Sequence, residues 1–408
     1  MLNRRQVFLA TTAVAVLGAG GAKAADKVVK IGIDLSLTGA DSQGANRVKN
    51  GIIMAVDAAN AGHAVPGYKF ELLVTDDGTA TAGQYDPAQA ATNARKMVAD
   101  KEVLAAIGPQ MSGAGKAMAP ILSQGDLATI TPSSTNPDIS DPKFAAQYRP
   151  AGKPIYFRTV TTDAYQGPNM ANFMAEKLHV KSVYVLDDSG AFGVGVADSF
   201  QKQAEAKGIK VLGRDRLDPK AADYTAILTK IKSLNPEALY YGGVTQAGVK
   251  LAKQAYDIIP NVIKGGPDGM VSSDLLNGAG FPAVDGWYTS IAAPHLTEDK
   301  KAAEFVQAFK GRFGEAPDDY TITAYDAALV IIDAVKRLAA ARKPVTRDNV
   351  RDAIQAAKVP TIQGVVSFDT NGDLADRTVS IFQIKKDASK PLGDISSQYK
   401  YLEVAPQA

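Results

Sequence analysis

From about Val28 onward, short apolar runs alternate with longer segments of helical period. Runs at Val28–Ile33, Phe70–Val74, Val103–Ile107 and Leu127–Ile130 have the length and composition of strands buried on both faces of a parallel sheet. Between them, Val48, Ile52, Val56 and Ala59 recur at helical spacing, as do Ala94, Met97 and Val98. A second series of strands is predicted at Ile155–Val160, Ser182–Leu186, Ile209–Leu212, Ala238–Tyr241, Val262–Ile263 and Trp287–Ile291. Helices starting near Phe192, Tyr224 and Gln246 separate these strands, and two strong helices follow at Ala303–Phe313 and Tyr325–Ala341. The tail, Val365–Phe368 and Val379–Ile384 around Asp369–Asp373, reads as a hairpin. The pattern predicts an α/β chain of two lobes, each a parallel sheet flanked by helices.

Two of the predicted strands run straight into loops of glycine and hydroxyl side chains. They are VLAAIGPQMSGAG, Val103 to Gly115, and LATITPSSTNP, Leu127 to Pro137. Ligands of open α/β sheets bind outside the carboxyl ends of the strands, where helix N-termini present free N–H groups. Ser112, Ser133, Ser134 and Thr135 add donors there without charge, which suits capture of a small carboxylate better than chemistry on it.

The first 24 residues have a basic start (Arg4, Arg5), an apolar stretch from Val7 to about Ala19 and an Ala22-Lys23-Ala24 cleavage site. This is the layout of a secretory signal peptide cleaved after Ala24, and its apolar run is too short to span a membrane. Arg4-Arg5 leaves twin-arginine export open beside ordinary secretion. The whole chain carries 45 basic and 43 acidic residues, a net charge of +2. Arg4, Arg5 and Lys23 leave with the leader, so the mature chain is close to neutral, with no basic patch for nucleic acid or an anionic membrane. With no cysteine, thiolate metal sites, disulfides and a lipid-anchoring thiol are excluded. The expectation is a soluble, non-lipidated periplasmic protein, without stable membrane insertion and monomeric.

Enzymatic signatures are weak. His63, His179 and His295 lie far apart, Glu176-x-x-His179 alone reads as a surface pair, and G-x-S-x-G is absent. Gly190-Ala-Phe-Gly193-Val-Gly195 has the wrong spacing for a dinucleotide fingerprint and puts Phe192 where a pyrophosphate would need close approach. Asp369 to Asp373 resembles a calcium turn but lacks the later glutamate. No cofactor and no metal are expected. Asp268, in Lys264-Gly-Gly-Pro-Asp-Gly-Met, is a carboxylate at a strand end: either an Asx-turn or one side of a clamp for a zwitterion. Arg158, inside the strand YFRTV, reads as an ion-pair partner near an interlobe connection.

In order and spacing, IGIDLSLTG, NGIIMAVDAAN, VTDDG, IGPQMSG, ITPSSTNP, FRTVTTDAYQGP, LDDSGAFGVG, LYYGG, GPDG and QGVVSFDTNGDL resemble the periplasmic leucine/isoleucine/valine-binding proteins. These are the substrate-binding components of branched-chain amino acid ABC transporters, and the similarity runs from about Val29 to Phe382. The resemblance implies a type I periplasmic binding fold: two Rossmann-like lobes joined by three crossovers and closing on a ligand, which an inner-membrane ABC permease then receives. It places the N-lobe at 27–162 plus 291–376 and the C-lobe at 163–290 plus 377–408. It implies that Ser112 binds a ligand carboxylate, that Thr135 bridges carboxylate and ammonium beside the Ser133 carbonyl, and that Asp268 binds the α-ammonium. Phe192 would cover the ligand, Tyr320 would line the side-chain pocket, and Asp163 and Gln166 would sit at the interlobe crossover.

Departures from the pattern concern the side-chain pocket. Gln110 replaces an apolar wall, and Met111 stands beside the hydroxyl site. Gln43 or Gly44 replaces a first-loop aromatic, and Val244 stands where a tyrosine is expected. An insertion rich in charge and proline runs from Asp138 to Lys153. The reading is therefore a solute receptor for an α-amino acid of unspecified side chain. A receptor for aromatic or other organic acids, amides or urea-like solutes is the alternative, and an exported α/β enzyme a remote one.

Overall fold

The computed structural model describes residues 26–408; the expected signal peptide lies outside the described residues. The first sheet is parallel throughout: β1 (Lys27–Leu35), β2 (Tyr68–Asp76), β3 (Val103–Ile107), β4 (Thr129–Thr131) and β5 (Tyr156–Arg158), in the order β2-β1-β3-β4-β5. Alternate residues of β3 face opposite sides. Ala105 and Ile107 join a core with helices Ser42–Ala61, Asp319–Ala340 and Arg347–Gln355, while Ala106 joins one with Pro87–Ala99 and Ser112–Gln124; Val103, which precedes a register shift in the pairing with β1, joins that second core as well. The second sheet contains β6 (Ser182–Asp187), β7 (Lys210–Arg216), β8 (Ala238–Gly242), β9 (Ile263–Gly266) and β10 (Tyr288–Ile291), again parallel. After a short ribbon of β11 (Val359–Thr361) and β12 (Gly364–Val366), the chain returns to this sheet as β13 (Ser380–Ile384) and β14 (Tyr399–Val404). Both returning strands run antiparallel, giving the order β14-β13-β10-β9-β8-β6-β7.

Two expectations are corrected here. Val365–Phe368 and Val379–Ile384 do not form one hairpin. The first overlaps the β11–β12 ribbon, whereas the second pairs with β10 and β14, where Ile381, Phe382 and Ile384 are buried. The Glu176–His179 pair does not share a helical face either. The helix ends at Glu176, His179 has positive φ beyond it, and Glu176 pairs with Lys207.

The chain passes between the two bodies three times, after β5, after β10 and between β12 and β13. The passages lie together: Thr161 N–H donates to the Ala292 carbonyl (2.9 Å) and Ser380 Oγ to the Ala293 carbonyl (2.8 Å). The helices that follow β10 pack on the first sheet, with Ala324, Ala327, Ala328 and Ile331 against Val48, Ile52 and Val56 in one core. Asp318 and Thr321 start the longest of them with a reciprocal capping box, and this fixes where Tyr320 emerges.

Candidate functional site

The carboxyl ends of both sheets face one cleft, with about 610 Å³ of space between its walls including the part open to solvent. From the first body come Asp41, Gly44 and Val48 at the start of helix Ser42–Ala61, and Gln110, Met111 and Ser112 after β3. Ser133 after β4, with Asp318 and Tyr320 of the returning helix, completes that side. The second body contributes Phe192, Val244, Asp268, Gly269, Val271 and Ser272 from its own strand ends.

The two hydroxyl loops are fastened to each other before any ligand is considered. Successive same-face hydroxyls of β4 and its loop donate to successive carbonyls of the first loop. Thr129 Oγ1 reaches Gly108 O (2.6 Å), Thr131 Oγ1 reaches Pro109 O (2.7 Å) and Ser133 Oγ reaches Gln110 O (3.1 Å). Gly108 has φ +115°, and a Cβ there would lie 2.2 Å from the Asp34 carbonyl oxygen, so only glycine permits this turn. Ser112 opens helix Ser112–Gln124, and its Oγ accepts from Ser134 Oγ (3.3 Å) and Asn136 N–H (3.2 Å). The Ser112 hydroxyl proton is thereby left to donate at the cavity wall. The Ser133 proton is already committed. Arg158, fully buried, supports the second loop from behind. It donates to the Ser134 carbonyl (3.1 Å), the Asn136 carbonyl (2.6 Å), Ser140 Oγ (2.6 Å) and the Asp373 carboxylate.

Across the cleft, Asp268 starts a short 3₁₀ turn after β9. One carboxylate oxygen accepts the Tyr320 hydroxyl and the other the Gly269 N–H (3.0 Å). Burial pushes this carboxyl up to about 6, with the Tyr320, Gln166 and Gly269 bonds opposing the shift. Behind it, burial holds the Asp163 carboxyl well above the usual range, and the nearby Asp268 charge acts in the same direction. Gln166 accepts the Asp268 N–H (3.4 Å). Met111 packs with Phe192, Val196 and Val244 across the cleft, forming an apolar wall.

Ser112, Ser133, Asp268, Phe192, Met111, Gln110 and Tyr320 therefore meet at one cavity. Two expected members do not. Thr135 is fully buried and is not a lining residue; its carbonyl accepts the Asp163 N–H (2.9 Å). Gln43 is exposed and faces an outer groove with Arg47, Ser273 and Lys390, because the helix turns Gly44 and Val48 inward instead. Tyr320 also does more than line the wall, since it bonds the Asp268 carboxylate.

Sequence reading missed Asp41, Val271, Ser272 and Asp318 in the lining. Ser272 caps helix Ser273–Ala279 through Leu275 N–H (2.8 Å), and Asp318 holds Arg47 Nε (2.9 Å). Asp41 has neither kind of partner. It stands at a helix N-cap without a capping bond, and burial pushes it up to about 7, with the Thr245 hydroxyl opposing the shift and Asp274, Asp188 and Asp77 adding to it. Among the described residues that line the cavity there is no lysine, arginine or histidine. The glycine-rich run after β6 proves to be a clip between loops: Asp188 accepts the N–H groups of Gly190 (2.9 Å) and Val244 (3.0 Å).

The periplasmic binding protein family model matches residues 28–389. A Leu/Ile/Val-binding protein of Rhizobium johnstonii is 29% identical over 374 residues, covering 91% of this chain and 96% of the relative. Among solved structures, a leucine-binding protein of Thermotoga maritima aligns with a TM-score of 0.79 at 25% identity, over 92% of this chain and 98% of that one. A solute-binding protein of R. palustris in complex with benzoate has the same fold, with a TM-score of 0.75 at 19% identity over 93% of this chain and 97% of that one. The fold, the strand-end cleft and these similarities agree: the chain belongs to the periplasmic binding protein family, in the type I class of the Leu/Ile/Val-binding proteins, and is a solute-binding protein rather than an enzyme.

Proposed function

We propose that this protein is the periplasmic receptor of an ABC importer, capturing an α-amino acid between its lobes and delivering it to an inner-membrane permease. One observation carries the reading. The first lobe offers a free hydroxyl and a helix N-terminus at Ser112, the second offers a buried carboxylate at Asp268, and among the described residues no cation lines the space between them. A ligand carboxylate is favoured at the first and an ammonium at the second. Only a closed arrangement contacts both ends of a zwitterion, so the ligand selects closure. Phe192, Met111 and Val244 exclude water from the head group. Replacing Asp268 by Asn removes one partner of a buried charge pair, a loss on the order of 3–5 kcal/mol. Calorimetry should then show an α-amino acid bound ~10²–10³-fold more weakly. Unchanged affinity would remove the clamp.

The second reading, an aromatic-acid receptor, is favoured by the apolar wall and by the benzoate bound in a protein of the same fold. Such a ligand has no ammonium for Asp268, and its affinity would rise in the Asn variant.

A further inference from the structure

Beyond the head group, the cavity wall contains two buried acceptor atoms without a partner, Asp41 Oδ2 and Gln110 Oε1. Both belong to the first lobe. A Cβ at Gly44 would lie 3.9 Å from Gln110 Nε2, so the Gln110 amide lies over the first turn of the helix that Asp41 precedes. Asp41 is 94% buried, since only 6% of its surface is exposed. Buried acceptors are nearly always paired, and those left open in a ligand cleft mark what the ligand supplies. The charged groups nearby do not neutralise Asp41. Arg47, nearly two turns along the same helix, is engaged by Asp318 (2.9 Å), Glu315 (3.3 Å) and Ser273 (3.2 Å), while Asp188 and Asp274 add negative charge. The same cavity is also lined by the apolar side chains of Val48, Met111, Val244 and Val271.

We propose that the ligand's side chain has an apolar stem ending in N–H donors, an ammonium, guanidinium or carboxamide, that bond Asp41 and Gln110. An aliphatic side chain would leave both acceptors desolvated and unpaired, a penalty that discriminates more strongly than a missing methylene. The same arrangement explains why Gln110 and a polar helix start stand where the leucine-type pattern has an apolar wall and an aromatic. This inference rests on the head-group reading and adds the side-chain class to it.

The test is isothermal calorimetry on the mature protein with ornithine, lysine, arginine, glutamine, leucine, isoleucine and benzoate. A donor-bearing amino acid should bind about tenfold or more tightly than leucine, and Asp41→Asn should narrow that ratio about tenfold. If burial of Asp41 makes that variant fold poorly, Gln110→Leu should shift the preference toward leucine in the same sense. The arms separate a cationic terminus from a neutral amide, and either supports the inference. Leucine or isoleucine binding as tightly as every donor-bearing amino acid overturns it while leaving the head-group clamp intact. So does a ratio unmoved in both variants. Binding of benzoate and of no α-amino acid overturns the clamp itself, and the inference with it.

Discussion

At the scale of single residues, the protonation of Asp268 governs the account. In the proposed clamp an ammonium needs the ionised carboxylate, and burial raises the pKa of that group to about 6. Below this value the ligand must first displace a proton. Affinity for an α-amino acid should therefore be level above about pH 7 and weaken on acidification, approaching about tenfold per pH unit well below 6. Calorimetry across this range checks the trend. An aromatic acid would show the opposite slope down to its own ionisation, because a protonated Asp268 no longer repels it. Asp268 was legible in the sequence because an acid inside Gly-Gly-Pro-Asp-Gly, at a strand end, is conspicuous. Asp41 was not, since an aspartate before a helix is ordinarily a cap. Only the structure shows that it makes no capping bond.

At the scale of elements, the two hydroxyl loops behave as one unit with Arg158 behind it. The alternation Thr129, Thr131, Ser133 could be read as one face of a strand, but its acceptors at Gly108, Pro109 and Gln110 could not. Arg158 was recognisable as unusual within a strand, yet its partner Asp373 lies 215 residues away, beyond the reach of local pattern. The insertion after the second loop supplies Ser140 to Arg158, Asp138 to Lys116 (2.7 Å) and the buried Ile139 and Tyr148 to the core. It thereby braces the loop. Arg158→Met should leave the Ser134 and Asn136 carbonyls without their donor and Asp373 with only the Ser140 hydroxyl, lowering unfolding stability by roughly 3 kcal/mol. Urea denaturation followed by circular dichroism reads this directly. A change within about 0.5 kcal/mol would mean that the arginine is only a surface-type pair. The mistaken tail hairpin has a related origin: β13 finds one neighbour in β10, nearly a hundred residues earlier in the chain, and the other in β14, the next strand along the chain, where the apolar pattern predicted none.

At the scale of the molecule, the lobes meet through a few polar bridges. Gln246 Nε2 donates to the Ala82 carbonyl (3.0 Å), Asn136 Nδ2 to the Ala191 carbonyl (2.9 Å), and Tyr320 to Asp268. Gln246 does not line the cavity, so it acts on the closed population and not on the ligand. Losing one such bond, worth about 0.5–1.5 kcal/mol net, lowers the fraction of binding-competent molecules. Gln246→Ala should therefore weaken all ligands alike, by about two- to tenfold, without altering their ranking. A changed ranking in competition binding would place Gln246 in recognition instead. The two-lobed architecture was readable from strand and helix periodicity because it is repeated along the whole chain. Periodicity alone does not say which lobe the last strands join; the assignment of 377–408 to the C-lobe comes from the family resemblance, because β13 and β14 reach the second sheet only after helices Asp319–Ala340 and Arg347–Gln355 have packed on the first.

The central claim is that the lobes clamp the two charged ends of one small molecule. Its most direct test is calorimetry of a bound α-amino acid and its α-hydroxy analogue, each against the native protein and Asp268→Asn, as a double-mutant cycle. The clamp predicts that the native protein prefers the amino acid by ~10²–10³-fold and that this preference collapses in the variant. Equal binding of the two ligands by the native protein would contradict it.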